Sequence, residues 1–178
     1  MDVLNVLKTI KAEKGASKET LIEGASAFAT AVAEELGVRA DEVAVLVITS
    51  TGKTLKFVWP PPLAEGSASF PIDHKSAIAA SVLQTLKGKV DNRISESKHL
   101  RFYESVKGME TSGLPIQKMV ALPLMVGTNP VGVVEVSRKG ASAEQAGANF
   151  TPQDAQKLVA LCRKLAPALA DLVPDPFV

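Results

Sequence analysis

Residues 116–137 read IQKMVALPLMVGTNPVGVVEVS. Two runs of β-branched and aliphatic residues, Gln117 to Val126 and Pro130 to Ser137, flank Gly127-Thr128-Asn129. Such runs separated by a few turn-forming residues are the pattern of an antiparallel β-hairpin. Upstream, Val43 to Thr49 is a continuous apolar run, as expected of a central strand covered on both faces. Ser50-Thr51-Gly52-Lys53 reads as a turn. The partner strand then alternates, placing Leu55, Phe57 and Trp59 on one face until Pro60-Pro61-Pro62 ends it.

Helical periodicity fills the rest. Val3, Leu7 and Ile10 share one face of a short amphipathic helix over Val3 to Lys14, which Gly15 ends. Ser17 is placed to cap a second helix, along which Leu21, Ala25, Phe28, Val32 and Leu36 form one apolar stripe up to Gly37. Leu63 to Ser69 reads as a flexible stretch. A third helix, capped by Asp73, carries Ile78, Val82 and Leu86 and closes at Gly88, with a short strand expected over Val90 to Ile94. Ser95 to Val106 reads as a short helix or structured loop. Thr151, Pro152 and Asp154 open the last helix as cap, first helical residue and capping-box acid, and Leu158, Leu161, Leu165, Leu169 and Leu172 continue it to Pro174. The expected fold is α+β, a central antiparallel sheet with helices on both sides. The expected division is an N-terminal amphipathic helix over 1–16, serving as a dimer or signalling element, a domain over 17–173, and a tail over 174–178.

Composition narrows the function classes. The 178 residues are 46% hydrophobic and 22% charged, enough for one core without a disulfide or metal. Twenty Lys and Arg against 19 Asp and Glu leave a net charge of +1, so no broad basic field recruits nucleic acid. No run approaches the roughly 18 unbroken apolar residues of a membrane helix, and no secretory signal opens the chain. The cytoplasm is the expected compartment, and Asn149-Phe150-Thr151 is read as a chance glycosylation triplet.

Catalytic motifs fail on inspection. Thr51-Gly52-Lys53-Thr54 lacks the glycine a phosphate loop needs at position 47, which is Val47. His74 and His99 have neither helical pairing nor a cysteine cluster, so no metal site is assigned. There is no G-x-S-x-G elbow, and the single Cys162 falls on the apolar side of the last helix. The lysines from Lys8 to Lys18 read as a solvated face. The group Lys87, Lys89, Arg93, Lys98 and Arg101 reads as mixed-charge surface, diluted by Asp91, Glu96 and Glu104.

The hairpin, with its apolar-Pro-Leu strand and its Gly132-Val133-Val134-Glu135 strand, followed by Phe150 and Asp154, resembles the C-terminal half of GAF domains, the small-molecule sensor modules of signalling proteins. Phe70-Pro71-Ile72 and the helix after it fit the family's middle section. The resemblance covers about residues 18–172 and rests on the order of the pieces. It implies a pocket between one sheet face and the segments over it, with Phe57, Trp59, Phe70, Ser76, Asn92, Ser95 and Tyr103 as candidate ligand-binding residues. Where cyclic-nucleotide-binding members carry Asn-Lys, Phe and Asp-Glu, this chain has Ser137-Arg138, Phe150 and Asp154-Ala155. No cyclic nucleotide is assigned, and Arg138 and Asp154 are expected to pair structurally. One cysteine fits neither the bilin-binding nor the methionine-sulfoxide-reducing members. The function implied is a non-enzymatic sensory or regulatory domain that binds an unidentified small molecule and signals through its terminal helices to a dimer or protein partner. A dimerisation module with a filled pocket is the second reading, and an enzyme acting on a small metabolite the third.

Overall fold

The computed structural model describes residues 2–96 and 113–178. Six strands form one antiparallel sheet in the order β3-β2-β1-β6-β5-β4. These are β1 (Val43–Ile48), β2 (Thr54–Trp59), β3 (Ser69–Pro71), β4 (Lys89–Asp91), β5 (Ile116–Val126) and β6 (Asn129–Lys139). The 116–137 segment is its central hairpin, turning through Gly127 at φ 60°, a left-handed conformation that glycine adopts without a Cβ penalty. Its second strand, β6, also pairs with β1. The most apolar run thereby lies in the interior of the sheet, where both faces are covered.

On one face lie α1 (Val3–Lys14), α2 (Lys18–Leu36) and α5 (Pro152–Ala170). The α2 cap is the one its sequence announces. Ser17 Oγ accepts from Thr20 N while Thr20 Oγ1 accepts from Ser17 N, satisfying amides that the first turn leaves without helical partners. Thr151 and Asp154 do the same for α5. The apolar stripes of these helices meet Val43, Val45, Val120, Val134 and Val136 in a core centred on Phe28. Leu7 and Ile10 of α1 are buried in that core too, so the apolar side of the first helix is used within its own chain.

The opposite face carries the smaller core of Ala44, Leu46, Leu55, Phe57, Phe70, Met119, Ala121 and Val133. Over it lie α3 (Pro61–Glu65) and α4 (Ile78–Thr85), the latter packed on β5 and β6. Two expectations are corrected here. The stretch expected to be flexible begins as α3, because Pro61 and Pro62 occupy its first turn, where their missing N–H groups cost nothing. The third helix starts at Ile78 with no side-chain cap, since Asp73 lies too far upstream, and it ends at Thr85 with Leu86 left-handed at φ 53° rather than at Gly88. Of the expected Ser95 to Val106 element, only a 3₁₀ turn over Ile94–Glu96 lies within the described residues.

The last residues are docked. Phe177 is 3% exposed in the helix-side core, with Lys56 5.8 Å from its ring centroid. Its N–H donates to Ser50 Oγ at 2.6 Å, and Ser50 N donates to Phe177 O at 2.8 Å. Ser50→Ala removes the first of these bonds, and a cost of about 1 kcal/mol in chemical denaturation is expected. Unchanged stability would mean that the segment contributes through Phe177 packing alone.

Candidate functional site

Register across the second face places its side chains in rows. Val133 of β6 is flanked by Leu46 and Pro123, and Leu46 in turn by Phe57. The next row is Ala44, Glu135, Ala121. Alternation along β6 settles the direction, because Val134 and Val136 enter the helix-side core while Val133 enters the opposite one. Glu135 therefore stands on the α4 side of the sheet, between two methyl groups.

Its surroundings are closed in the plane of the sheet. Ala44, Ala121, Val133, Val134, Val136 and Ser137 are each 0% exposed, whereas Glu135 keeps some accessible surface. On an interior strand, accessible surface at Glu135 among neighbours that have none means that the second face is not fully closed over this side chain. Its cross-strand neighbours on this face, Ala44 and Ala121, are small. The Glu135 carboxylate has no hydrogen bond or ion pair among the described residues, and burial pushes its pKa up to about 7. Polar side chains farther along β5 and β6 are committed to partners of their own. Ser95 Oγ donates to Gln117 Oε1 at 2.8 Å, and Gln117 Nε2 donates to Gly140 O at 3.0 Å. Ser137 Oγ donates to Glu42 O at 3.2 Å.

The candidate residues fall in different places. Phe57 and Phe70 are buried together on the Glu135 side, ring centroids 6.0 Å apart and edge-to-face. Phe70 also meets His74, at 6.1 Å. Trp59 is a correction. A register shift between Val45 and Leu46 leaves Val58 unpaired, so Val58 and Trp59 both turn toward the helix-side core, and Trp59 Nε1 donates to Ala40 O at 2.8 Å. Ser76 is exposed ahead of α4, its N–H donating to His74 Nδ1. Asn92 grips the backbone of Phe150, donating to its carbonyl at 3.0 Å and accepting from its N–H at 2.7 Å. Tyr103 lies outside the described residues, as does His99.

Arg138 and Asp154 do not pair. The guanidinium lies 4.4 Å from the Phe150 ring centroid and donates to Ala148 O and to Leu36 O, the last carbonyl of α2. Asp154 instead accepts from Thr151 N. Helix-end carbonyls attract a cation, and the aromatic face adds to that. With Lys118 donating to Gly147 O, three side chains pin the 147–150 backbone to the sheet and to α2. Cys162 lies in the helix-side core, across the sheet from Glu135, its thiol pushed up to about 12 by burial. Among the described residues no group of acidic, His and Cys side chains is arranged to hold a metal ion.

Sequence reading passed over Glu135 as a site. Its signal was the single charge inside Val131-Gly132-Val133-Val134-Glu135-Val136, a strand otherwise apolar on both faces.

No family model and no curated protein matches the sequence. Solved structures do. The GAF domain of an Acinetobacter phosphoenolpyruvate-protein phosphotransferase superposes with a TM-score of 0.63 at 14% identity, over 95% of this chain and 91% of that one. Residues 122 to 287 of a methyl-accepting chemotaxis protein give 0.69 at 13% identity, over 96% of each chain. A free methionine-R-sulfoxide reductase from Neisseria meningitidis, solved with its substrate, gives 0.59 at 14% identity over 96% and 87%. At such identities likeness speaks of architecture rather than activity. With its six-stranded antiparallel sheet and flanking helices, the chain has the fold of the GAF domains.

Proposed function

We propose that this chain is a small-molecule-sensing regulatory domain whose ligand sits over Glu135, between the sheet and α4. The observation that carries the reading is the buried carboxylate with no partner among the described residues. Buried charges in folded proteins are paired, and one left unpaired in a recess marks a place where a ligand supplies the partner. The fold neighbours, two of them from a phosphotransferase and a chemotaxis protein, support a sensing role.

A route for output follows from strand alternation. Val134 and Val136, on either side of Glu135, pack in the core shared by α2 and α5. A ligand that moves β6 shifts that contact, and it biases any helix arrangement to which it binds more tightly. The recipient is a second copy of the chain or another protein. An enzyme of the reductase kind is the less favoured reading, because Cys162 lies across the sheet from Glu135 with its thiol protonated.

The test is a thermal-shift screen of polar metabolites on the full chain, read in parallel on Glu135→Leu. At least one compound should raise the melting temperature of the native chain and not that of the variant, and native mass spectrometry should show one molecule bound per chain. Tryptophan emission is a poor readout, since Trp59 faces the other core. A screen without a single shift, with Glu135→Leu simply more stable, would leave a scaffold whose recess has no guest.

A further inference from the structure

The charge and surroundings of Glu135 identify the ligand's chemistry, provided the reading of the recess above holds. We infer that the recess takes an organic cation, a protonated amine or amidinium on a compact apolar body, with the charged nitrogen on the Glu135 carboxylate.

The argument is one of complementarity. Around Glu135 the second face offers Leu46, Met119, Ala121 and Val133, an apolar bed. No ion pair joins a described cation to the carboxylate. The α4 sequence, Ile78–Thr85, contains no ionisable residue, and neither does β1. From β5, Lys118 is committed to Gly147 O in the 147–150 loop. From β4, Lys89 is exposed on the edge, opposite Ala121 and so two strands from Glu135, while Asp91 accepts from Arg93 N. Further along β6, the Lys139 backbone N–H donates to Glu42, whose carboxylate also accepts from Arg39 N. Glu96 is ion-paired with Arg93 on the surface.

An anionic guest would meet a like charge. A neutral guest would supply no counter-charge to the ionised carboxylate, which has none among the described residues. A cation relieves the desolvation cost of the carboxylate, and charge-assisted hydrogen bonds of this kind are the strong ones. Apolar walls with one polar group to fix orientation are the usual make-up of small-ligand sites.

The experiment titrates three series into the full chain by calorimetry: primary amines from methylamine to 2-phenylethylamine, the matching alcohols, and the matching carboxylates. Amines should bind the native chain, with little binding by the other two series, and Glu135→Gln should abolish the heat while circular dichroism shows the variant folded. Amines stay protonated near neutrality while the carboxylate titrates at about 7, so their affinity should fall about tenfold between pH 8 and pH 6. Binding by alcohols or carboxylates in preference, or amine binding that survives Glu135→Gln, overturns the cation and leaves the recess as a site for another class. Silence from all three series, with no retained mass in native spectra, overturns this inference together with the reading it rests on.

Discussion

Glu135→Gln is expected to stabilise the ligand-free chain by up to about 3 kcal/mol at pH 8, and by almost nothing at pH 4. Burial raises the Glu135 pKa from 4.5 to about 7, so between those values the folded chain holds a proton that the unfolded chain has released. Stability from this group is therefore fully present below about pH 4.5 and is lost as pH rises through 7. A shift of that size corresponds to about 3 kcal/mol, and the neutral amide escapes the loss. In melting temperature the gain is roughly 6–12 °C for a chain of this length. The two pH–stability curves, rather than either alone, are the measurement, because other carboxylates titrate in both chains and cancel in the difference. Curves that stay parallel from pH 4 to 8 would show that Glu135 is as well solvated folded as unfolded, and the recess would lose its main support. The gain also has a functional counterpart: a substitution that stabilises the empty chain while removing ligand binding is the behaviour of a binding residue rather than a structural one.

Most of the architecture is legible in local chemistry. Ser17 and Thr151 announce their helices because a capping hydroxyl acts on amides two or three residues away, within reach of a sequence pattern. The hairpin is equally local. Trp59 shows where such reading ends. Strict alternation puts it beside Phe57, but a register shift opposite Val45 and Leu46 inserts Val58 and turns Trp59 to the other core, a choice made by strand pairing rather than by the strand's own residues. Arg138 is similar. Its charge and its proximity to Phe150 are readable, yet its partners are the carbonyls of Leu36 and Ala148, and backbone acceptors are present at every position of a sequence and distinguish none. Asn92 and Ser95 look like ligand-facing polar residues for the same reason, while the fold gives them partners of its own. Glu135 is the converse case, singled out because its carboxylate has no partner among the described residues.

Gly132→Ala is expected to cost at least about 3 kcal/mol, or roughly 6–12 °C in melting temperature. Gly132 pairs with Val47 on one side and Leu124 on the other, and a Cβ there would lie 2.0 Å from Leu46 O and 3.2 Å from Val47 Cα. Those are backbone atoms of the neighbouring strand and cannot rotate away, so β6 has to separate from β1 and weaken their shared ladder. Against a total stability of about 5–15 kcal/mol for an ordinary domain, this is a large share. Gly88→Ala is the control. Its Cβ would meet Leu122 Cδ2 at 2.3 Å, the far end of a side chain that can change rotamer, and a smaller loss is expected. A Gly132→Ala chain that melts within 2 °C of the native one, a margin well under the expected loss, would show that the two strands are not held so closely. The same contact bears on the site. Gly132 fixes how closely β6 lies against β1 three residues before Glu135, and a one-residue slip of β6 would carry the carboxylate from the α4 face to the helix-side core. Folded Gly132→Ala protein is therefore expected to bind amines less tightly than the native chain, although Gly132 offers the ligand no polar side chain.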